Sequence, residues 1–224
     1  MKQTHFLVGP YEAGQKRDLA AYRAAGGYAS WERVRSGLTP EAVIDEVKTA
    51  GIRGRGGAGF PAGVKWGFVP QDTGRPVYLC CNADESEPGT FKDRMIIEFD
   101  PHRMIEGCLI TCHAIGSRCG YIYLRREFDE GIAITKAALA EAREAGLVGG
   151  EGGVELHVHV GGGAYICGEE TSLLNSIEGK RPYPRNKPPF PAVEGLFGCP
   201  TIVNNVETLS SVPLIIEKGA DWFR

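Results

Sequence analysis

The sequence predicts an α/β fold, a mostly parallel sheet flanked by helices. Three observations carry this. Apolar runs of strand length alternate with segments of helical period, the pattern of a parallel sheet with crossover helices. The segment "VELHVHVGGG" alternates strictly, with Val154, Leu156, Val158 and Val160 on one face. Glycine makes up 31 of 224 residues, roughly twice the usual ~7%. It clusters at 51–67, 146–153 and 161–168, so it marks loops rather than low complexity.

A lead-in segment is expected over 1–38 and one α/β domain over 39–224, with no internal repeat and no flexible linker. "LTPEAVIDEVKTAG" reads as a helix: Thr39 suits the cap, Pro40 the first helical position and Gly51 the stop. "RPVYLCCNADESEPG" reads as a short buried strand, Val77 to Cys81, breaking into an acidic loop. "DPHRMIEGCLITCHAIGSRCG" begins with Asp100 and Pro101 as cap and first residue. Its Met104, Ile105, Cys108, Leu109, Cys112 and Ile115 recur at helical spacing. "GYIYLRREF" is a second strand, Asp129 to about Ala145 a second long helix, and "VELHVHVGGG" a third strand. "GEETSLLNSIEG" is a helix after a glycine loop, followed by the proline-rich "KRPYPRNKPPFP". The final "TIVNNVETLSSVPLIIEKGADWFR" reads as helical in two pieces around Pro213.

A net charge of −3 argues against a nucleic-acid footprint. No apolar run reaches the roughly 18–20 residues of a membrane span. The opening "MKQTHFLVGPYEAG" lacks a secretory signal pattern and is not an Arg- and Ser-rich leader. The chain stops just after an apolar helical stretch, which reads as a fragment. Seven cysteines form no C-x-x-C and mostly sit among apolar residues, which suggests reduced thiols in a cytosol-like compartment. Their spacing fits no four-cysteine iron–sulfur site. Cys108 and Cys112 share one helical face and read as core.

Three stretches carry chemistry. In "GIRGRGGAGFPAGVKWGF", Gly54, Gly56 and Gly59 satisfy G-x-G-x-x-G. A dinucleotide fingerprint follows a strand, whereas this one follows a helix, so that reading fails. Neither a Walker A loop nor a kinase motif set is present. What remains is a structural glycine loop or a cationic backbone surface, with Arg53, Arg55 and Lys65, suited to a phosphate or diphosphate. Phe60, Trp66 and Phe68 offer faces that could stack on rings, or pack as core.

"GGGAYICGEETSLLNS" is a strand–glycine loop–helix, which presents free N–H groups at a helix start. Glu169 and Glu170 there either complement the helix dipole or face ribose hydroxyls. In the second case a carboxylate favours a 2′-OH over a 2′-phosphate. "CCNADESEPGTFKDR" places Asn82, Asp84, Glu85 and Glu87 just after a strand's C-terminal end, where α/β sheets put ligands. A solvated acidic loop and a hard-cation site are the other readings. His157 and His159 lie on the polar face of their strand.

Together, "GIRGRGGAGFPAGVKW", "CNADESEPGTFKDR", "GAYICGEETSLLNSIEGKRPYPRNKPPFPAVEGLFGCPTIVNNVETL" and "GADWF" closely resemble the FMN- and NADH-binding subunit of respiratory complex I, from about Leu19 to Arg224. The resemblance implies a modified Rossmann-like flavin domain with FMN and NADH as cofactors. It implies hydride transfer from nicotinamide C4 to flavin N5 and single-electron release toward quinone, with no side chain acting as acid or base.

Carried over by position, the loop Gly54, Arg55, Gly56, Gly57, Ala58, Gly59, Phe60 and Gly63 contacts NADH and FMN. Lys65 reaches the FMN phosphate region. Asn82, Asp84 and Glu85 bond flavin or its ribityl chain. Gly168 and Glu169 lie against the flavin, with Asn204 and Asn205 at its phosphate end, and Thr208 is a further cofactor-binding residue. Phe60, Phe68 and Phe190 sandwich adenine near Lys187, while Tyr165, Glu87 and Glu170 take the nicotinamide and ribose side. No metal ligand is named. The family's ubiquitin-like region and [4Fe–4S] helical bundle are absent from this sequence. Implied partners are a thioredoxin-like 2Fe–2S subunit and a multi-cluster iron–sulfur subunit. The implied location is cytoplasmic, peripheral to the inner membrane. The alternatives are a diaphorase subunit of an NAD-linked hydrogenase or formate dehydrogenase, and a non-catalytic nucleotide-binding fragment.

Overall fold

The computed structural model describes residues 7, 9–71 and 73–224. The first six residues and Val8, on which the leader reading partly rests, lie outside them. In chain order the elements are α1 (Gly9–Glu12), α2 (Leu19–Ala24), α3 (Ala29–Gly37), α4 (Pro40–Ala50), α5 (Ala62–Trp66), β1 (Tyr78–Ala83), α6 (Lys92–Phe99) and α7 (Pro101–Ala114). Then follow β2 (Cys119–Leu124), α8 (Asp129–Glu144), β3 (Glu155–Val160), α9 (Glu170–Ile177), β4 (Thr201–Asn205), α10 (Val206–Lys218) and α11 (Ala220–Phe223).

The four strands form one parallel sheet in the order β3-β2-β1-β4. The chain builds outward from β1 through β2 to β3, then returns to place β4 on the other side of β1. The C-terminal ends of β1 and β4 therefore bound a topological switch point, where open α/β sheets bind ligands.

Local chemistry sets the helices much as expected. Thr39 accepts a hydrogen bond from Ala42 N at 3.2 Å, Pro40 starts α4, and Gly51 ends it at φ 66°. Met104, Ile105, Cys108, Leu109 and Cys112 of α7 are fully buried, and the seven cysteines are free. The lead-in is tied into the same core: Tyr22, Tyr28, Trp31 and Val34 are buried with α7. The Glu106 carboxylate accepts from Tyr22 OH, Tyr28 N and Trp31 N.

Two sequence expectations need correction, and one open alternative is decided. "TIVNN" is not helical; it is β4, paired in register with β1 through Tyr78↔Thr201 and Asn82↔Asn205. Five residues between a proline loop and a helix cap hold too little pattern to separate strand from helix. Next, Pro213 does not divide the last helix: α10 runs through it and stops at Gly219, φ 88°. The missing proline N–H leaves the Leu209 carbonyl without its helical donor, and the contact of α7 with α10 at Gly107 falls on that carbonyl. Of the two readings left open for Trp66, stacking face or core, the structure shows core. Trp66 is 1% exposed, and its indole N–H donates to Asn204 Oδ1 at 2.8 Å.

Candidate functional site

Four segments converge on the switch point. The first is the glycine loop between α4 and α5. Its base is closed by Gly54 N to Phe60 O and Ala62 N to Ile52 O, both 2.9 Å. Its tip reaches α10, where Arg55 N donates to Thr208 Oγ1 at 2.9 Å. A β-carbon on Gly56 would lie 3.4 Å from Asn205 Cβ, so the loop backbone passes closely over the end of β4. Gly57 and Gly59 adopt φ 106° and 67°, which side-chain-bearing residues rarely accept. Gly63 serves packing: a β-carbon there would meet Lys48 N at 2.6 Å.

The second segment follows β1. Asn82 Nδ2 donates to Gly168 O at 2.9 Å, and Asp84 N donates to Asn82 Oδ1 at 3.1 Å. Glu85 is buried, and its two carboxylate oxygens accept from Asp93 N and Arg94 N at the start of α6. This carboxylate is a helix cap, so its own oxygens are committed before any ligand arrives. Burial, with Asp93 close by, raises its pKa above the ordinary range. Burial likewise raises Asp84, against the hydroxyl of Ser86.

The third segment is the start of α9, preceded by a 3₁₀ turn at Tyr165–Gly168. Glu169 is its N-cap, Oε2 accepting from Thr171 N at 2.8 Å and Ser172 N at 2.9 Å. Glu170 lies between two ammonium groups, Lys65 Nζ at 2.8 Å and Lys187 Nζ at 2.7 Å, and Lys187 also reaches Glu169 at 3.2 Å. Burial works to raise the Glu170 carboxyl, but Lys65 and Lys187 hold it below the usual range. Glu169 complements the helix start, while Glu170 stays ionised without serving as a cap. Tyr165 OH donates to Glu87 at 2.5 Å, joining the second and third segments across the mouth of the cleft.

The fourth segment is the junction of β4 and α10. Asn205 caps α10 through Glu207 N at 3.1 Å, and its Nδ2 donates to Asp93 at 2.6 Å. Lys65 Nζ also donates to Val203 O at 2.9 Å. Lys92 does not stand out in the sequence, yet its Nζ contacts Asp93 at 2.8 Å, Asn205 at 3.0 Å and Glu207 at 3.2 Å. A signal for it existed. A lysine at the first position of a helix opposes the helix dipole, which asks for a local reason.

Around this floor stand exposed rings. Phe60 and Phe68 lie 6.0 Å apart at 46°, with 47% and 55% of their surfaces exposed. Phe190 is exposed near Lys187 but makes no ring contact with that pair among the described residues. Phe91, at the start of α6, is a further exposed ring that sequence reasoning passes over. His157 and His159, read as a polar face, lie against Tyr121 and Tyr123 on β2.

Known proteins share both the sequence and the fold. The model of the Nuo51 FMN-binding domain family matches residues 47–214. The second of the NADH-quinone oxidoreductase F subunits of Rhizobium meliloti is 53% identical over 211 residues, covering 92% of this chain and 50% of the relative. The NADH-quinone oxidoreductase F subunit of Escherichia coli is 50% identical over 212 residues, covering 92% and 48%. The chain spans about half the length of the curated relatives it matches. Among solved structures, an NAD+-reducing NiFe hydrogenase in the H2-reduced state superposes with a TM-score of 0.77 at 43% identity, covering 82% of this chain and 32% of that one.

Proposed function

This chain belongs to the Nuo51 FMN-binding domain family, and from that premise we propose that it is the electron-input module of an NADH dehydrogenase, holding FMN and NADH together. One observation carries the reading. At the β1–β4 switch point, the side-chain-free backbone of Gly56 passes over Asn205 while the paired rings of Phe60 and Phe68 stand exposed at the rim. Polar and cationic side chains thus gather at the switch point, with two exposed rings on the loop beside them.

The donor set fits FMN. Lys92 brings an ammonium group to the start of α10 and Lys65 another to Val203 in β4, a pair of cations that suits a phosphate. The Asn82 amide lies near the Gly168 backbone and suits the polar edge of a flavin. Glu85 and Glu169 contribute by rigidifying α6 and α9 rather than by lending their capping oxygens. When bound, FMN supplies a flavin that accepts a hydride from NADH and returns electrons singly.

The chain's residues then position the donor. Phe60 and Phe68 take the adenine. Glu170, ionised at neutral pH, accepts from a ribose 2′-OH and repels a 2′-phosphate, which selects NADH over NADPH. Tyr165 and Glu87 frame the nicotinamide side. Electrons leave toward iron–sulfur clusters of partner subunits and on to quinone, with the module peripheral to the membrane. Among the described residues, no helix is long and apolar enough to cross a membrane.

A second reading is a diaphorase module of an NAD-linked hydrogenase. It is favoured by the likeness to the hydrogenase chain and uses the same site. Both readings are tested by titrating the purified chain with FMN and adding NADH without oxygen. A bound flavin spectrum that bleaches with NADH is expected; free-flavin behaviour throughout would refute the cofactor assignment. Glu170→Gln is expected to narrow the NADH over NADPH preference about tenfold, the worth of one charged contact.

A further inference from the structure

Lys92 stands where a lysine is unfavourable. It opens α6, and a cation at a helix start opposes the helix dipole. Yet only 34% of its side chain is exposed, and its ammonium reaches across to the start of α10. An ammonium has three N–H donors. Three acceptors face them here: Asp93 Oδ1 at 2.8 Å, Asn205 Oδ1 at 3.0 Å and Glu207 Oε2 at 3.2 Å. Lys92 therefore keeps no donor for a further ligand, and whatever it does at this site it does through these three residues.

The junction that it holds together is acidic. The buried Asp93 carboxylate accepts from Lys92 Nζ, from Asn205 Nδ2 at 2.6 Å and from Glu207 N at 3.2 Å. All three partners donate, which suits an ionised carboxylate. Glu207 lies between Lys92 and the more exposed Arg55, 3.7 Å away. Glu85, a third carboxylate close by, is committed to the first N–H groups of α6. Lys92 and Arg55 thus balance Asp93 and Glu207. Without Lys92, one negative charge stands uncompensated where β4 passes into α10, and the buried Asp93 loses its counter-ion. Lys92 also sets the Asn205 amide. A lysine can only donate, so it holds Oδ1, which caps Glu207 N, and leaves Nδ2 for Asp93.

Resting on the flavin reading above, we propose that Lys92 is a positioning residue for the FMN phosphate, cancelling Asp93 and Glu207 and orienting Asn205 so that a further anion is tolerated beside two carboxylates. It makes no bond to the phosphate itself. The role concerns the phosphate alone. Riboflavin has the same ring and ribityl chain without that group, and its binding owes nothing to Lys92.

The test is a pair of fluorescence titrations, with FMN and with riboflavin, on the unaltered chain and its variants. The unaltered chain should prefer FMN. Lys92→Met should weaken FMN binding about tenfold and leave riboflavin within about twofold. Adding Glu207→Gln to Lys92→Met should restore most of that loss, because the uncompensated charge leaves with it. Lys92→Arg keeps the charge and should lose little. Equal losses for both flavins would make Lys92 merely structural and overturn the proposal. A loss that Glu207→Gln does not relieve overturns it too, since it points to a direct bond from Lys92 to the phosphate. Should Lys92→Met not fold, Glu207→Gln alone carries the test. With one carboxylate fewer, FMN should bind about threefold more tightly and riboflavin as before; FMN binding that is unchanged or weaker refutes the proposal. An unaltered chain that binds neither flavin refutes the flavin reading, and this proposal with it. One that binds both flavins alike, or whose FMN affinity survives Lys92→Met unchanged, refutes the proposal alone.

Discussion

Gly107→Ala tests how the fold holds its site together. Gly107 lies in α7 where that helix meets α10. A β-carbon there would sit 2.0 Å from the Leu209 carbonyl oxygen and 2.6 Å from its carbon. Both are backbone atoms, so neither can swing aside. Ordinary contact begins near 3.4 Å, and the helices would have to part by about 1.4 Å. Alanine gains about 1 kcal/mol of helix propensity. Overpacking costs about 1–3 kcal/mol, and more where only backbone can move. We expect a net loss of about 2 kcal/mol, read as a lowered urea midpoint by circular dichroism with the slope unchanged. Because α10 begins at the site and Thr208 holds Arg55 N, FMN affinity should fall as well. A midpoint equal to or above that of the unaltered chain would refute the claimed backbone contact.

Other expectations follow from single contacts. Trp66→Phe leaves Asn204 Oδ1 buried without its 2.8 Å donor and should cost about 1–3 kcal/mol in chemical denaturation. Glu106→Gln places an amide NH2 against one of the N–H donors of Tyr28 or Trp31. It should cost about 2 kcal/mol and speed hydrogen exchange in residues 19–37 first. Lys187→Met removes a cation shared by Glu169 and Glu170 and should lower stability by up to about 1 kcal/mol near neutral pH. Its pH dependence has a definite sign. The lowered Glu170 pKa means that its contribution is lost as pH falls through that lowered value. Lys187 is drawn down by burial but raised overall by Glu170, so its contribution is lost as pH rises through the raised value. The melting temperatures of variant and parent should differ most near neutrality and converge at both extremes. A constant difference would show that the loss is packing rather than charge.

The sequence by itself determined the elements whose signals are local. Thr39, Pro40 and Gly51 bracket α4 because capping and left-handed stops depend on neighbours a few residues away. The strict alternation of "VELHVHV" defined β3 for the same reason. The glycine loop, the acidic loop after β1 and the start of α9 each stood out in the sequence as candidate sites, beside purely structural readings that it left open. What they do to one another was not legible, because it depends on which strand lies beside which. The residues of β4 read as helix on their own, and only their pairing with β1 creates the switch point that gathers the four segments.

The same limit divides like residues. Glu85 and Glu169 became helix caps, while Glu170 was left between two lysines. Phe60 and Phe68 stayed at the rim, and Trp66, two residues from Phe68, went into the core. A residue type and its spacing set what a side chain can do. Burial and the partners within about 3 Å set what it does, and those are decided by contacts between segments as distant as residues 65 and 203.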